Sequence, residues 1–145
     1  MDNSVWNLIF PIVMVVLANT MYNICTKSTP GNVNPFGTLI ITYLTAMFIS
    51  IIIFAVMIKP ENVVGELSKI NWTAFILGVS IVLLEVGYIL MYRAGWNVNK
   101  GSLVANICLS CSLLFVGILL YGETFTIKQV IGFIICIVGL IFVTG

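Results

Sequence analysis

The chain has 145 residues, of which 61% are hydrophobic and 8% charged, and its mean hydropathy is +1.18. A soluble domain carries roughly 25% charged residues, so this composition excludes a water-soluble globule and predicts an integral membrane protein. Six Lys and Arg against five Asp and Glu leave a net charge of +1, which excludes the basic surface that a nucleic-acid partner requires. Four cysteines without any histidine favour neither a metal site nor a secreted disulfide framework.

Apolar runs long enough to cross a bilayer occur five times, since a spanning helix needs about 20 such residues to cross about 30 Å of hydrocarbon. Asp2 precedes the first run without any Lys or Arg, which argues against a signal peptide. The sequence predicts an all-α integral membrane protein with one five-helix domain over residues 1–145 and termini on opposite sides. The predicted spans are residues 5–25, 36–58, 72–92, 103–121 and 127–143.

Short polar motifs mark where three of these helices begin. Asn34 followed by Pro35 is an N-cap with proline at the first helical position, and Asn71 can cap the third helix likewise. The polar connector 59–71 is predicted to be a solvated loop. Before the fifth helix, a capping box and a hydrophobic staple are predicted from Thr126 with Gln129 and from Phe125 with Val130.

The basic residues do not favour either orientation in the membrane. If connectors alternate sides, three cations fall on each side, and orientation is set mainly by an excess of Lys and Arg in short loops. The tie therefore predicts dual topology, the alternative being an orientation fixed by the N-terminal amine or a partly buried Arg93. The two sets are Lys59, Lys69 and Lys128 against Lys27, Arg93 and Lys100.

Glu85 is an ionisable residue deep within a predicted span. It lies about 13 residues, or about 20 Å, from the start of the third helix. A charge there costs about 2.5 to 3.5 kcal/mol and usually marks an ion or proton path. Desolvation favours the protonated carboxyl, so a proton and a cationic substrate would compete for it, as in an antiporter. The alternative is a permanent ion pair or hydrogen bond, for instance with Lys27.

Tyr88 and Tyr92 follow Glu85 at i+3 and i+7 and share its helix face. Charge pairing and cation–π contacts could hold an organic cation or an aromatic metabolite there. Tyr92, next to Arg93, also fits the interfacial aromatic belt.

Two other helices carry polar stripes at helical spacing, and either a wet cavity or hydrogen bonds between helices would satisfy them. The candidate site residues among them are Asn19, Asn23 and Lys27 on the first helix and Asn106, with Ser102 and Ser110, on the fourth. The fifth helix presents a small-residue face that permits close approach of the fourth helix or of a second protomer. That face consists of Gly132, Cys136 and Gly139.

A glycine-centred pattern covers the last two helices, and a lysine ends the first. The residues of the pattern are Leu120, Gly122, Glu123, Gln129, Ile131, Gly132 and Gly139, with Lys27 on the first helix. This pattern resembles the EamA-type repeat of the drug/metabolite transporter superfamily, to which small multidrug-resistance transporters are distantly related. Two departures are the absence of the usual proline in the fourth helix, at residues 110–112, and Tyr43 about where the second helix often has arginine.

The resemblance implies one half of a ten-helix inverted-repeat transporter, for which an antiparallel homodimer is the simplest assembly. The expected function is secondary-active, proton-coupled transport of a small organic metabolite or cation by alternating access. Glu85 would exchange protons for substrate, and Tyr88, Asn19 and Asn23 would line the cavity.

Other classes of function are disfavoured or stay open. No residue has a histidine to activate it and no glycine loop follows a strand, so neither an enzyme nor a cofactor is predicted. Two alternatives to a small-molecule transporter are a non-transporting membrane scaffold or accessory subunit, and a flippase for a lipid or lipid-linked sugar. The scarcity of targeting signals favours a bacterial inner membrane.

Overall fold

The computed structural model describes residues 3–122, 124 and 126–144, with side chains except at residues 3, 4, 140, 143 and 144. Within that part every regular element is helical. A 3₁₀ turn, Pro60–Asn62, lies between the second and third helices. The helices are α1 (Asn3–Ser28), α2 (Pro35–Met57), α3 (Val63–Leu67), α4 (Thr73–Arg93), α5 (Val98–Tyr121) and α6 (Ile127–Thr144).

Four of these helices are long and apolar enough to cross a membrane, namely α1, α2, α4 and α5. The shortest of them, α4 with 21 residues, is about 32 Å long, which matches the hydrocarbon thickness. The chain is therefore a multi-pass integral membrane protein. The apolar stretch of α6 among the described residues, Ile127–Gly139, is shorter than these four. A fifth span through α6 is thus part of the proposal below.

The helices fall into two compact units. One holds α1, α5 and α6, and the other holds α2, α3 and α4. In the first unit α5 packs against α6, and in the second α2 packs against α4. Most apolar side chains are exposed, as is expected where lipid rather than water covers the helices. Leu39 of α2 and Ile89 of α4 are exceptions, each only 3% exposed.

The capping predictions are confirmed where the structure describes them. The Asn34 side-chain oxygen accepts the N–H of Phe36 at 2.9 Å, and Pro35 begins α2. The Asn71 side chain accepts the N–H of Thr73 at 3.0 Å. Before α6 the capping box is reciprocal: the Thr126 N–H donates to Gln129 Oε1 at 2.8 Å and the Gln129 N–H donates to Thr126 Oγ1 at 3.4 Å. Phe125 of the predicted staple and Glu123 lie outside the described residues.

The prediction of a loop over residues 59–71 is wrong in part. The connector is exposed, as its polarity indicates, but it forms the 3₁₀ turn and the short helix α3. Pro60 supplies a fixed φ at the first position of the turn, which suits a helical start. Glu66 and Lys69 form an ion pair at 2.6 Å with i,i+3 spacing, and the turn that follows α3 brings the two residues together.

Candidate functional site

Glu85 lies on α4, a membrane-crossing helix, together with the two tyrosines of its face. It is about 12 residues, or about 18 Å, from Thr73 and about 12 Å from Arg93, where α4 ends. Glu85 and Tyr88 are half-buried, whereas Tyr92 is 4% exposed. The rings of Tyr88 and Tyr92 are 6.2 Å apart and tilted by 42°. The α4 face therefore combines a carboxyl group at hydrocarbon depth with two adjoining aromatic rings.

Tyr43 of α2 adds a third aromatic group to this region. Its phenol lies within electrostatic range of Glu85, because α2 and α4 pack together. The Tyr43 hydroxyl is buried, and no hydrogen-bond partner for it lies in the described part of the chain. In the sequence, Tyr43 stands out only as a departure from the EamA-type pattern, which often has arginine there. Its proximity to Glu85 follows from the packing of α2 on α4, which the sequence does not show.

A cleft of about 530 Å³ lies between α1 and α5. On α1, Asn23 Nδ2 donates to the Asn19 side-chain oxygen at 2.7 Å and to the Asn19 backbone oxygen at 2.8 Å. On α5, Asn106 Nδ2 donates to the Ser102 backbone oxygen at 2.8 Å and to Ser102 Oγ at 3.2 Å. Each helix thus holds an amide in place through its own i,i+4 spacing. The cleft also includes Thr20 and Asn99, which sequence reasoning did not single out.

Lys27 lies at the end of this pair of helices. Its ammonium donates to the carbonyl oxygen of Trp96 at 2.9 Å, in the connector that leads into α5. The Lys27 side chain is exposed, and it is not among the residues that line the cleft. The structure therefore places Lys27 as a link between the two helix ends.

Arg93 has a comparable role in the other unit. Its Nη2 donates to the carbonyl oxygen of Val33 at 2.6 Å and to that of Pro30 at 3.1 Å. Nothing in the sequence indicates these partners, because backbone carbonyls leave no residue-type signal. Arg93 thereby holds the connector between α1 and α2 at the end of α4.

The small-residue face of α6 is open. A Cβ added at Gly132 or Gly139 meets no atom within 4 Å, and Cys136 is exposed. The face is therefore not filled by α5 within the described residues.

The candidate residues from the sequence consequently fall into two places. Glu85, Tyr88 and Tyr92 share a face of α4 in one unit. In the other unit, Asn19, Asn23 and Asn106 line the α1–α5 cleft, and Lys27 links the ends of its helices.

Comparison with known proteins gives one result. A family model described as the EamA-like transporter family matches residues 6–145, which is nearly the whole chain. No curated protein and no solved structure matches the chain significantly.

Proposed function

This chain belongs to the EamA-like transporter family, and from that premise we propose that it is a proton-coupled secondary-active transporter of a small organic metabolite or cation. It works by alternating access as an antiparallel homodimer, with α6 as a fifth span, in a bacterial inner membrane. The observation that carries the proposal is the position of Glu85, a half-buried carboxyl group on a helix that crosses the membrane.

The surroundings of Glu85 support a proton-binding role. Burying a carboxylate at this depth costs about 2.5 to 3.5 kcal/mol, so such residues usually serve an ion or proton path. Tyr43, Tyr88 and Tyr92 present aromatic rings in the same unit, and aromatic faces attract cations. Desolvation favours the neutral carboxyl, and a bound cation favours the carboxylate. Binding of a proton to Glu85 would therefore weaken cation binding, and binding of a cation would weaken proton binding.

Alternating access uses this linkage to couple two fluxes. The carboxyl group releases its proton and binds substrate on one side, and it releases substrate and binds a proton on the other. The site changes access only while it holds one of the two. Because inverted repeats are related by an axis in the membrane plane, an antiparallel pair makes the two access states equivalent. The equal division of Lys and Arg between the two sets of connectors supports insertion in both directions.

The α6 face is the proposed contact with the partner protomer. Small residues permit close approach of helices in lipid, and Gly132 and Gly139 have open space beside them in the described chain. Cys136 lies between them and is exposed.

A lipid cargo is less well supported by the positions of the cations. A flippase needs basic groups that are available to an anionic headgroup. The Lys27 ammonium bonds to a backbone carbonyl, and the Arg93 guanidinium spans two of them. These bonds favour structural roles for both residues and a small-molecule cargo for the protein.

Substrate-evoked proton flux in proteoliposomes, read with a trapped pH-sensitive dye, tests the proposal. A dye is needed because exchange of one proton for one monovalent cation moves no net charge. Wild type is compared with Glu85→Gln and with Glu61→Gln, a matched neutralisation of an exposed carboxylate outside the spans. Organic cations, amino acids, nucleosides and sugars are the compounds to screen. We expect a proton flux with at least one of them that Glu85→Gln abolishes and Glu61→Gln keeps.

Two outcomes contradict the proposal. A substrate-evoked proton flux that survives Glu85→Gln would remove Glu85 from the coupling mechanism. If wild type transports nothing and Glu85→Gln changes only assembly, the protein is a scaffold instead.

A further inference from the structure

We propose that the α1–α5 cleft binds an uncharged solute whose neighbouring groups donate and accept hydrogen bonds, as carboxamides and polyols do. This inference rests on the proposed transport function and names the class of substrate. It takes the neutral-metabolite form of that proposal: α1 and α5 bind the solute and Glu85 binds the proton, so the competition at Glu85 described above applies only to a cationic substrate.

The chemistry of the lining favours a neutral ligand. Six of its ten residues are polar, four of them asparagines, and none is Asp, Glu, Lys or Arg. The remaining four are aliphatic. Small-molecule sites typically have volumes of about 300 to 1,000 Å³ and combine apolar walls with a few placed polar groups. A charged solute would find no counter-ion in this lining, whereas a neutral polar solute would find partners.

The amide groups are oriented by bonds within their own helices. Asn19 accepts from Asn23 through its side-chain oxygen, which leaves Asn19 Nδ2 as a donor. Asn106 uses its Nδ2 to reach Ser102, which leaves Asn106 Oδ1 as an acceptor. Neither of these two atoms makes another hydrogen bond in the described part of the chain. The α1 wall thus offers a donor and the α5 wall an acceptor.

This arrangement differs from that expected for helix packing alone. Polar residues that only join membrane helices form hydrogen bonds between those helices. The side-chain bonds of Asn19 and Asn106 instead run along one helix each. Their remaining polar atoms are therefore available to a third component.

The depth of the cleft adds a physical reason for a ligand. Its lining runs from Val98, the first residue of α5, to Asn106, which is about 12 Å further along the helix. Unsatisfied amide atoms at hydrocarbon depth are costly. Water or a polar solute that enters from the α5 start would satisfy them, and a lipid chain would not.

Binding to the full chain in nanodiscs, measured by equilibrium dialysis, tests the inference with two matched sets of probes. Nicotinamide is compared with its anionic analogue nicotinate and its cationic analogue 1-methylnicotinamide. Glucose is compared with glucuronate and glucosamine. We expect the neutral member of at least one set to bind saturably and at least tenfold tighter than both charged members. The set that binds distinguishes a carboxamide from a polyol.

Variants assign the binding to the cleft. Asn19→Leu and Asn106→Leu each remove one hydrogen-bonding group, and we expect each to weaken binding of the neutral probe roughly 3- to 10-fold. Ser112→Ala, an exposed position on α5 outside the lining, should change it less than twofold. Asn106→Asp keeps the shape and adds a charge. It should gain affinity for the cationic probe, a result that misfolding cannot produce.

The inference fails if neither neutral probe binds, if charged probes bind as tightly, or if both leucine variants bind like wild type. Glu85→Gln separates the inference from the proposed function. Because Glu85 does not line the cleft, this variant should bind the neutral probe like wild type even where it abolishes transport. Neutral-probe binding without any transport by wild type would contradict the proposed function alone. Proton-coupled transport of cations without neutral-probe binding would contradict this inference alone.

Discussion

The ammonium of Lys27 donates a 2.9 Å hydrogen bond to the carbonyl oxygen of Trp96, two residues before α5 begins. Lys27 is the penultimate residue of α1, so the bond joins the ends of the two helices that form the cleft. A cation near a helix C-terminus also interacts favourably with the helix dipole. The same side chain therefore stabilises the end of α1 and its connection to α5.

Lys27→Met should loosen this connection while keeping the length and apolar stem of the side chain. We expect the free energy of unfolding to fall by about 1 kcal/mol. A hydrogen bond from a charged group is usually worth more, but this one is exposed to solvent, which weakens it. Hydrogen exchange of residues 94–97 should accelerate. Lys128→Met, an exposed cation at the start of α6, is the control. Equal exchange in the two variants would contradict a structural role for the Lys27 bond.

Arg93→Lys should weaken the restraint that Arg93 places on the connector 29–34. The Arg93 Nη2 donates to the carbonyls of both Pro30 and Val33, whereas a lysine Nζ lies one bond nearer to its Cα and on a more flexible stem, so it does not hold the position of Nη2. We expect cleavage of the connector 29–34 by a protease to accelerate several-fold in Arg93→Lys and further in Arg93→Met. Lys100→Met, which removes a cation near the start of α5, is the control. Unchanged cleavage in Arg93→Met would show that these bonds do not restrain the connector.

Asn34→Ala should fray the start of α2. The Asn34 side chain caps the helix through the Phe36 N–H, and loss of such a cap costs about 1 kcal/mol. We expect faster hydrogen exchange at residues 36–38, whereas Asn32→Ala, an exposed position in the same connector, should leave it unchanged. Equal hydrogen-exchange rates at residues 36–38 in the two variants would mean that Pro35 alone defines the start of α2.

The predictability of such features depends on how far apart the interacting residues are in the chain. Caps such as Asn34 and the Thr126–Gln129 box depend on neighbours within three residues, so spacing alone reveals them. The approach of Tyr43 to Glu85 depends on how α2 packs against α4, and no local pattern encodes that.

The α1–α5 cleft lies between these extremes. The polar residues of α1 and α5 recur at helical spacing, so the sequence indicates two polar stripes. Spacing alone does not distinguish a cavity from hydrogen bonds between the helices. The intrahelical bonds of Asn19 and Asn106 supply that distinction. The Arg93 partners could not be predicted at all, because a carbonyl oxygen is present at every residue.

Gly132→Leu should weaken dimerisation without disturbing the protomer. A side chain at this position meets no atom within 4 Å of its Cβ in the described chain, so a change in assembly reports contact with a partner. We expect at least a tenfold weaker dimer by single-molecule photobleaching in vesicles, since a bulky residue prevents close helix approach. Gly78→Leu on α4, which also has open space, is the control. Equal effects would remove α6 from the proposed interface.

Dual topology has a direct test in the balance of Lys and Arg. Ser68→Lys adds a cation to one set of connectors and Asn32→Lys adds one to the other, and both positions are exposed. With the four native cysteines replaced and a single reporter cysteine added, a membrane-impermeant thiol reagent should label the otherwise wild-type chain from both sides in similar amounts. Because short-loop cations set orientation, the two variants should shift the labelling in opposite directions.

Transport activity of the same two variants is the second measurement. Each biased variant alone supplies one orientation, so an antiparallel dimer cannot form and flux should fall at least about tenfold. Coexpression of Ser68→Lys with Asn32→Lys supplies both orientations again and should restore it. Full flux from either variant alone would contradict the antiparallel homodimer and leave a single fixed orientation as the working state. Because neither substitution touches Glu85 or the α1–α5 cleft, that result would leave the roles proposed for both intact.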